Sequence, residues 1–252
     1  MGCDDWYHSD RVRICAFGPA DAAHVAVLMG DSHAGQWFPA VAAAFDRPGW
    51  RLLVLTKSSC PMVDEPIFYA RIGREYTECA TWRKAALAQV AALKPEVLIL
   101  GSTRYGFGKD QWIDGTRRVL DEVSPAVGHI YLLRDTPHLA FDGPDCLAEQ
   151  AGRPAWLARR STCYSRGVDP EAERVQQWIA QAARPFANVS VLDLDALVCP
   201  GGVCHAERHG LVVFRDAQHL TGSFAASLGP AFARMLGLPE SATPPVVAST
   251  RR

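Results

Sequence analysis

The sequence predicts an α/β domain of the doubly wound type, with a parallel sheet of about five strands between two helical layers, as in flavodoxin-like folds. Short apolar runs of strand length alternate with longer segments of helical period, which is the pattern of parallel strands joined by crossover helices. The 252 residues, 48% hydrophobic and 21% charged, are enough for a sizeable core. No composition shift marks a linker, so one domain is expected over residues 1–237, followed by a mobile, proline-containing tail at 238–252.

The individual elements follow from local patterns along the chain. The apolar runs that predict strands are residues 25–29, 51–55, 97–100, 130–133 and 189–192. The segments with helical signals are residues 37–45, 77–93, 111–123, 171–183 and 223–236. Residues 135–168 are rich in Pro, Gly and Arg, show no clear period, and are expected to form a long loop. Because ligands of such sheets bind beyond the carboxyl ends of the strands, the functional residues are expected just after each strand.

Charge and hydropathy exclude some partners. The 26 basic and 27 acidic residues give a formal net charge of −1 and are scattered along the chain. This distribution offers no electrostatic footprint for a phosphate backbone, so no nucleic-acid partner is expected. The longest apolar runs fall far below the roughly 18 residues that a membrane-spanning helix needs. The first residues also lack the cationic and apolar regions of a signal peptide.

Eight cysteines form four neighbouring pairs along the chain: Cys3 with Cys15, Cys60 with Cys79, Cys146 with Cys163, and Cys199 with Cys204. We predict a disulfide in each pair, since such bridges stabilise a fold by about 2–4 kcal/mol each and are seldom kept in cytosolic proteins. Zinc is disfavoured because no Cys-x2-Cys occurs and the last pair, with His205, is an isolated cluster, so no metal is predicted. Disulfides without an export signal indicate an extracytoplasmic domain of a larger protein that supplies the signal.

A candidate nucleophile follows the first predicted strand. The strand leads into Gly30-Asp31-Ser32-His33-Ala34, which places Ser32 at a strand-to-helix turn. Its backbone N–H is expected at the start of the next helix, where free amides favour a developing oxyanion. The alternative is that Ser32 merely caps that helix.

Two Asp-x-x-His segments offer a base for this serine. One is Asp216-Ala217-Gln218-His219, before the last predicted helix, and the other is Asp135-Thr136-Pro137-His138, after the fourth predicted strand. In either segment the histidine could accept the serine proton while the aspartate fixes its tautomer. Each segment could equally be a turn in which the aspartate caps a backbone N–H, and the residues alone leave this choice open.

Gly30-Asp31-Ser32-His33, together with Asp216–His219 just before the final helix, resembles the SGNH or GDSL hydrolase superfamily. Thr56-Lys57-Ser58-Ser59-Cys60-Pro61, the loop from Cys199 to Cys204 and Phe214-Arg215-Asp216 more closely resemble the SGNH domain fused behind the acyltransferase family 3 (AT3) membrane domain of bacterial O-acyltransferases. This resemblance covers residues 3–236 and implies an SGNH-hydrolase fold. It also implies Ser32 as nucleophile, His219 as base and Asp216 as the residue that orients the base, and it disfavours Asp135 with His138.

The resemblance is incomplete at the oxyanion hole. Superfamily members supply a glycine amide after the second strand and an asparagine after the third, where this chain has Ser58-Ser59 and Gly101-Ser102-Thr103-Arg104. The backbone N–H of Ser58 and the side chain of Arg104 are therefore the candidate oxyanion or substrate groups. The alternative for Arg104 is an ion pair with a surface carboxylate. His33, next to the serine, is a candidate substrate contact.

The resemblance implies an extracytoplasmic O-acyltransferase, in the periplasm or on the outer face of the cytoplasmic membrane. It would carry an acyl group, most often acetyl in that family, through acyl-Ser32 to a hydroxyl of a cell-envelope glycan or glycolipid. The acyl donor would come through a fused or associated AT3 membrane domain, with no bound cofactor. Two alternatives stay open, a carbohydrate O-acetyl esterase and a catalytically silent module that binds glycan. Asp216 is expected to raise the pKa of His219, so that the rate climbs between roughly pH 6 and 8.

Overall fold

A computed structural model of the chain describes residues 3–152, 163–166 and 169–238, so all of the predicted tail except Leu238 lies outside the described residues. Twelve strands occur in these ranges. They are β1 Cys15–Phe17, β2 His24–Gly30, β3 Trp50–Thr56, β4 Phe68–Tyr69, β5 Arg74–Glu75, β6 Val97–Gly101, β7 His129–Leu133, β8 Tyr164–Arg166, β9 Val189–Leu192, β10 Val203–His205, β11 Glu207–Arg208 and β12 Leu211–Val212.

The main sheet has six strands in the order β1-β3-β2-β6-β7-β9. Five of these strands, β3, β2, β6, β7 and β9, run parallel to one another and correspond to the five predicted strands. The sixth strand, β1, pairs antiparallel with β3 at the sheet edge. It was not predicted, because it has three residues, two of them exposed, and therefore shows no apolar run. The central strand, β2, carries the serine motif at its carboxyl end.

Nine α-helices accompany the strands in the described ranges. They are α1 Ser32–Gly35, α2 Phe38–Phe45, α3 Thr77–Leu93, α4 Lys109–Val123, α5 Gly143–Ala151, α6 Pro170–Ala183, α7 Asp195–Val198, α8 Gly222–Ser227 and α9 Gly229–Met235. The predicted helix at 223–236 is divided at Leu228, which ends α8 and precedes α9. Pro230 explains the break, because proline has no N–H to continue the hydrogen-bond ladder of the preceding helix.

The stretch at 135–168, predicted to be a loop, contains regular structure. Helix α5 begins after Asp142, whose side chain accepts the N–H of Asp145 and so caps the helix. Strand β8 pairs with β10 in a separate two-stranded sheet. Residues 153–162 and 167–168 of this stretch lie outside the described residues.

Alternate side chains of the sheet enter two different cores. Along β2, Ala26 and Leu28 pack in the core beneath α2, α8 and α9, whereas Val27 and Met29 pack in the core beneath α3 and α4. All four side chains are fully buried. Because strand side chains alternate between faces, this distribution makes three layers, and the predicted doubly wound α/β fold is confirmed.

Four disulfides join the pairs that the sequence predicted: Cys3–Cys15, Cys60–Cys79, Cys146–Cys163 and Cys199–Cys204. The Cys146–Cys163 bridge ties α5 to the residue before β8, and the Cys60–Cys79 bridge ties the segment after β3 to the first turn of α3. Among the described residues, no helix combines the length and the apolar character required to cross a membrane.

Candidate active site

Ser32 begins α1 at the carboxyl end of the central strand. Gly30 ends β2 so close to β6 that a Cβ atom at this position would lie 1.9 Å from the carbonyl oxygen of Gly101. Asp31, which is completely buried, then accepts the N–H of His33 at 2.8 Å and the N–H of Thr103 at 3.0 Å. Asp31 is therefore the residue that caps α1 and anchors it to the segment after β6, whereas Ser32 leaves its hydroxyl free for other contacts.

Three side chains form a continuous hydrogen-bonded array at this point. The hydroxyl of Ser32 lies 2.9 Å from Nε2 of His219, and Nδ1 of His219 lies 2.9 Å from Oδ2 of Asp216. Asp216 also accepts the N–H groups of Gln218 and His219 at 2.8 and 2.7 Å, in a tight turn. With Nδ1 donating to Asp216, Nε2 remains to accept the hydroxyl proton of Ser32. The structure brings together the three residues that the family resemblance grouped.

Gln36 connects the parts of this array. Its side-chain oxygen accepts the N–H of Leu220 at 2.6 Å, and its amide nitrogen donates to the carbonyl of His33 and to the hydroxyl of Thr136. The buried amide thus joins α1, the segment after β7 and residues 214–220, which we call the His219 loop. No motif in the sequence marks Gln36, although it lies one helical turn after Ser32.

Burial and charge set the protonation of the array. Burial lowers the pKa of His219 and the positive charge of His33 lowers it further, and together they outweigh the opposing effect of Asp216. The expected rise in this pKa was therefore wrong, because the sequence revealed neither the burial of the imidazole nor the neighbouring cation. Burial acts to raise the pKa of Asp216, but the two amides of its turn and the imidazole of His219 stabilise the carboxylate and lower it overall.

His33 is buried beside the array rather than presented to substrate. Its side chain is 4% exposed, and its Nδ1 forms an ion pair with Oδ1 of Asp135 at 2.8 Å. The ring centroids of His33 and His219 are 4.6 Å apart. Nε2 of His138 lies 3.4 Å from the other oxygen of Asp135. The predicted substrate contact of His33 is thus replaced by a buried ion pair, and the second Asp-x-x-His segment faces His33 instead of Ser32.

Arg104 is held within a network of charges. Its guanidinium lies 3.2 Å from Oδ2 of Asp135, 2.7 Å from Oδ2 of Asp169 and 3.1 Å from Nδ1 of His138. These contacts correspond to the ion-pair alternative for Arg104 rather than to an oxyanion donor. His33, Asp135 and His138 offer three donor atoms within 4.8 Å, a set that suits a divalent cation. Arg104 already brings positive charge to Asp135 and faces His138, so this arrangement is an ion-pair network.

The Ser58 amide is also engaged. Both its N–H and its hydroxyl donate to Oδ2 of Asp4, at 2.7 and 2.6 Å. Lys57 holds the same N-terminal segment by donating to the carbonyl of Ser9 at 2.6 Å. The predicted oxyanion role of Ser58 is therefore contradicted by the geometry, because the N–H of Ser58 already donates to Asp4. Nothing in the sequence indicated that Asp4 lies beside the end of β3. The N–H of Ser32 remains, since the first N–H groups of a helix have no intrahelical acceptor.

Comparison with protein families gives a match over most of the chain. A family model described as the SGNH domain fused to AT3 domains matches residues 2–234. A search of the curated proteins finds no match.

Several solved structures resemble the chain. The periplasmic domain of a lipopolysaccharide acetyltransferase from Salmonella ser. Paratyphi A has a TM-score of 0.63 and 16% identity, covering 85% of this chain and 82% of that one. A catalytic mutant of an acetylxylan esterase from Geobacillus stearothermophilus has a TM-score of 0.50 and 14% identity, covering 86% and 96%. An α/β hydrolase from the metagenome of Lake Arreo, Spain, has a TM-score of 0.50 and 13% identity, covering 87% and 98%. At these identities the likeness concerns the fold, which is of the SGNH-hydrolase type as predicted.

Proposed function

The chain belongs to the family of SGNH domains that are fused to AT3 domains, and from this membership we propose that it transfers an acetyl group to a hydroxyl of a cell-envelope glycan or glycolipid. The observation that carries the proposal is the hydrogen-bonded array of Ser32, His219 and Asp216 at the carboxyl end of the central strand. A serine hydroxyl becomes nucleophilic when a positioned imidazole removes its proton and a carboxylate stabilises the resulting imidazolium. In this proposal Ser32 is the nucleophile, His219 is the base that removes its proton, and Asp216 is the carboxylate that stabilises the imidazolium.

The reaction proceeds in two balanced halves. The hydroxyl oxygen of Ser32 attacks the acetyl carbonyl while His219 takes its proton, and the donor's leaving group departs with that proton as acetyl-Ser32 forms. His219 then takes the proton of the acceptor hydroxyl, whose oxygen attacks acetyl-Ser32. The ester bond to Ser32 breaks, and the serine recovers its proton from His219. The N–H of Ser32 is the proposed backbone donor to the oxyanion in both halves.

The proposal places the reaction outside the cytoplasm. Four disulfides support this compartment, because bridges persist in oxidising environments. The family description supports an AT3 domain as the source of the acetyl donor. The similar Salmonella structure is named as the periplasmic domain of a lipopolysaccharide acetyltransferase, which supports an envelope acceptor. No tightly bound cofactor has a role in the proposed steps.

An esterase is the second candidate, since the same array can direct water at acetyl-Ser32, and the fold likeness to the acetylxylan esterase favours it. A silent glycan-binding module is the third. It is favoured because the amide of Ser58 already donates to Asp4 and because residues 101–104, where the superfamily has an asparagine donor, contain no asparagine.

Intact-protein mass spectrometry after incubation with an aryl acetate tests these candidates. A transferase gives acetyl-Ser32 that water hydrolyses only slowly and that an added envelope glycan discharges much faster, and the acetylation of the glycan is measured in parallel. An esterase discharges acetyl-Ser32 into water at the same rate with or without glycan. A protein that gains no acetyl group and turns over no ester, while it still binds glycan, identifies the binding module and overturns the proposal. Ser32→Ala is the matched control for acetylation at other residues.

A further inference from the structure

A second imidazole–carboxylate pair lies beneath the proposed nucleophile and base. His33 follows Ser32 in α1, and Asp135 follows β7, two strands away in the sheet from β2. Their side chains are 4% and 8% exposed and form an ion pair at 2.8 Å. Residues buried to this extent are seldom charged unless they are paired. The mechanism proposed above uses neither of them, although the ring of His33 touches the ring of His219.

We propose that His33, held by Asp135, is a positioning residue for acyl transfer: a buried cation whose charge keeps the adjacent imidazole of His219 unprotonated and ready to accept the Ser32 proton. This inference rests on the proposed function, because it assigns a role to His33 only through His219. It goes beyond the three-residue array by giving that array a fourth, charged member.

Charges around the two imidazoles support this assignment. Burial acts to lower the pKa of His33, but the contact with Asp135 and the charges of Asp135, Asp31 and Asp216 raise it overall. The pKa of His219 moves in the opposite direction, first through burial and then through the positive charge of His33. Two imidazoles in contact therefore differ in the direction of their pKa shifts, as expected when one is cationic and the other is kept neutral.

The groups that face this pair come from four parts of the fold. Around the imidazoles of His33 and His219, the His219 loop contributes Asp216 and Arg215, and the residue before α1 contributes Asp31. The segment after β7 contributes Asp135 and His138, and the segment after β6 contributes Arg104. Arg104 contacts Oδ2 of Asp135 and leaves Oδ1 to His33. The two oxygens of the Asp135 carboxylate thus contact different cations, so that His33 is held at Oδ1.

This arrangement has a consequence for the pH range of the reaction. A base that carries a proton cannot accept another, so a general base loses activity as the pH falls through its pKa. A neighbouring positive charge lowers that pKa because it disfavours a second cation. With His33 charged, His219 stays neutral to lower pH than it would without this neighbour, and the acid limb of the rate profile moves to lower pH.

The test is the pH dependence of kcat/KM for an aryl acetate between pH 5 and 9. The profile is measured for two variants of the chain. His33→Gln removes the proposed cation, and Asp135→Asn removes the negative charge that stabilises the cationic form of His33. We expect both to shift the acid limb to higher pH, so that the ratio of the plateau rate to the rate at pH 5.5 rises at least about threefold. His138→Gln also removes an imidazole beside Asp135, but it leaves the His33–Asp135 pair in place. Its profile should match that of the unmodified chain.

The outcomes separate this inference from the proposed function. If Ser32→Ala abolishes turnover and His33→Gln leaves the profile unchanged, the positioning role is wrong while the proposed function stands. If Ser32→Ala keeps full turnover, the proposed function is wrong and the inference with it. Should His33→Gln fail to fold by circular dichroism, NMR titration of the unmodified chain decides. The assigned ring proton of His33 should titrate at higher pH than that of His219, and the reverse order overturns the inference.

Discussion

The hydroxyl of Ser32 is the single group on which the proposed chemistry depends, and its removal is the most direct prediction. Ser32→Ala should lower the turnover of a generic acetyl ester by a factor on the order of a thousand or more. The reason is that nucleophile, base and carboxylate act as a unit, so removing one of them abolishes most of the rate enhancement of all three. His138→Ala should leave turnover nearly intact, since Asp135 and Arg104, not Ser32, lie beside His138. Steady-state assays with both variants check this. A harmless His219→Ala together with an inactive His138→Ala would reverse the assignment of the base.

Gln36 provides a prediction about alignment. Its amide carries hydrogen bonds to Leu220, His33 and Thr136, so Gln36→Leu removes the link between α1 and the His219 loop and leaves the buried N–H of Leu220 unpaired. We expect a loss of roughly tenfold to a hundredfold in kcat, since small displacements of a base from its nucleophile are costly.

The matched control is Gln111→Leu, the same change at an exposed position in the first turn of α4. It should leave kcat unchanged. Circular dichroism establishes whether the Gln36 variant keeps its fold, and an unaltered kcat in a folded Gln36 variant would contradict the alignment role.

Local sequence was sufficient to identify some residues of the site and not others. Ser32 and His219 stand in short motifs whose resemblance to a known family indicates their roles, and the structure brings the two side chains within 2.9 Å of each other. Asp4 could not be anticipated, because its contact with the Ser58 amide joins positions 54 residues apart. The ion pair of His33 with Asp135 is hidden for the same reason, since only the strand order brings the ends of β2 and β7 near each other.

At the scale of elements, the disulfides allow a comparison of loop sizes. Cys60–Cys79 has a sequence separation of 19 residues and joins the segment after β3 to α3. Cys199–Cys204 has a sequence separation of five. In the chain-entropy model the longer loop contributes about 3 kcal/mol and the shorter about 2 kcal/mol, because a longer loop loses more freedom in the unfolded chain.

Removing each bridge by paired alanine substitutions should therefore lower the free energy of unfolding more for Cys60→Ala with Cys79→Ala than for Cys199→Ala with Cys204→Ala. Urea denaturation of the two double variants measures the difference. Equal losses, or a larger loss for the short loop, would show that the bridges act mainly through contacts of the folded state.

The elements that sequence predicted well are those with long, regular patterns. Helix α3, Thr77–Leu93, has the predicted bounds, because its buried side chains recur at helical spacing over 17 residues. Helix α5, Gly143–Ala151, was missed because Gly143 is its only buried residue, so no apolar stripe marks it. The division between α8 and α9 was missed because the apolar pattern continues across Pro230 and only the backbone chemistry of proline interrupts it.

Several ion pairs of the chain lie together beyond the carboxyl ends of β6, β7 and β9. The formal net charge of −1 conceals this arrangement, since it reports only the sum over 252 residues. Beside the Arg104 network, Arg134 follows β7 and forms ion pairs with Glu173, Asp193 and Asp195. One guanidinium thus faces three carboxylates, and such an excess of negative charge favours protonation of the most buried one.

The stability of the whole domain should therefore depend on pH through Asp195. Burial raises the pKa of Asp195 to about 7, and the carboxylates of Asp193 and Glu173 add to the rise although Arg134 opposes it. The folded state then binds this proton more tightly than the unfolded chain, whose aspartate has a pKa near 3.9. The stability contributed by Asp195 is complete below about pH 4 and is lost as the pH rises to about 7.

Asp195→Asn, which mimics the protonated carboxyl, should consequently raise Tm by about 2–4 °C at pH 7.5, as expected for a change of about 1 kcal/mol in a domain of this size. At pH 4 it should have little effect, because the native aspartate is already protonated there. Asp121→Asn, at an exposed position of α4, is the matched control and should shift Tm at neither pH. Scanning calorimetry at both pH values gives the four comparisons. A gain from Asp195→Asn that is as large at pH 4 as at pH 7.5 would contradict this account, since it would arise from packing or helix propensity rather than from the proton.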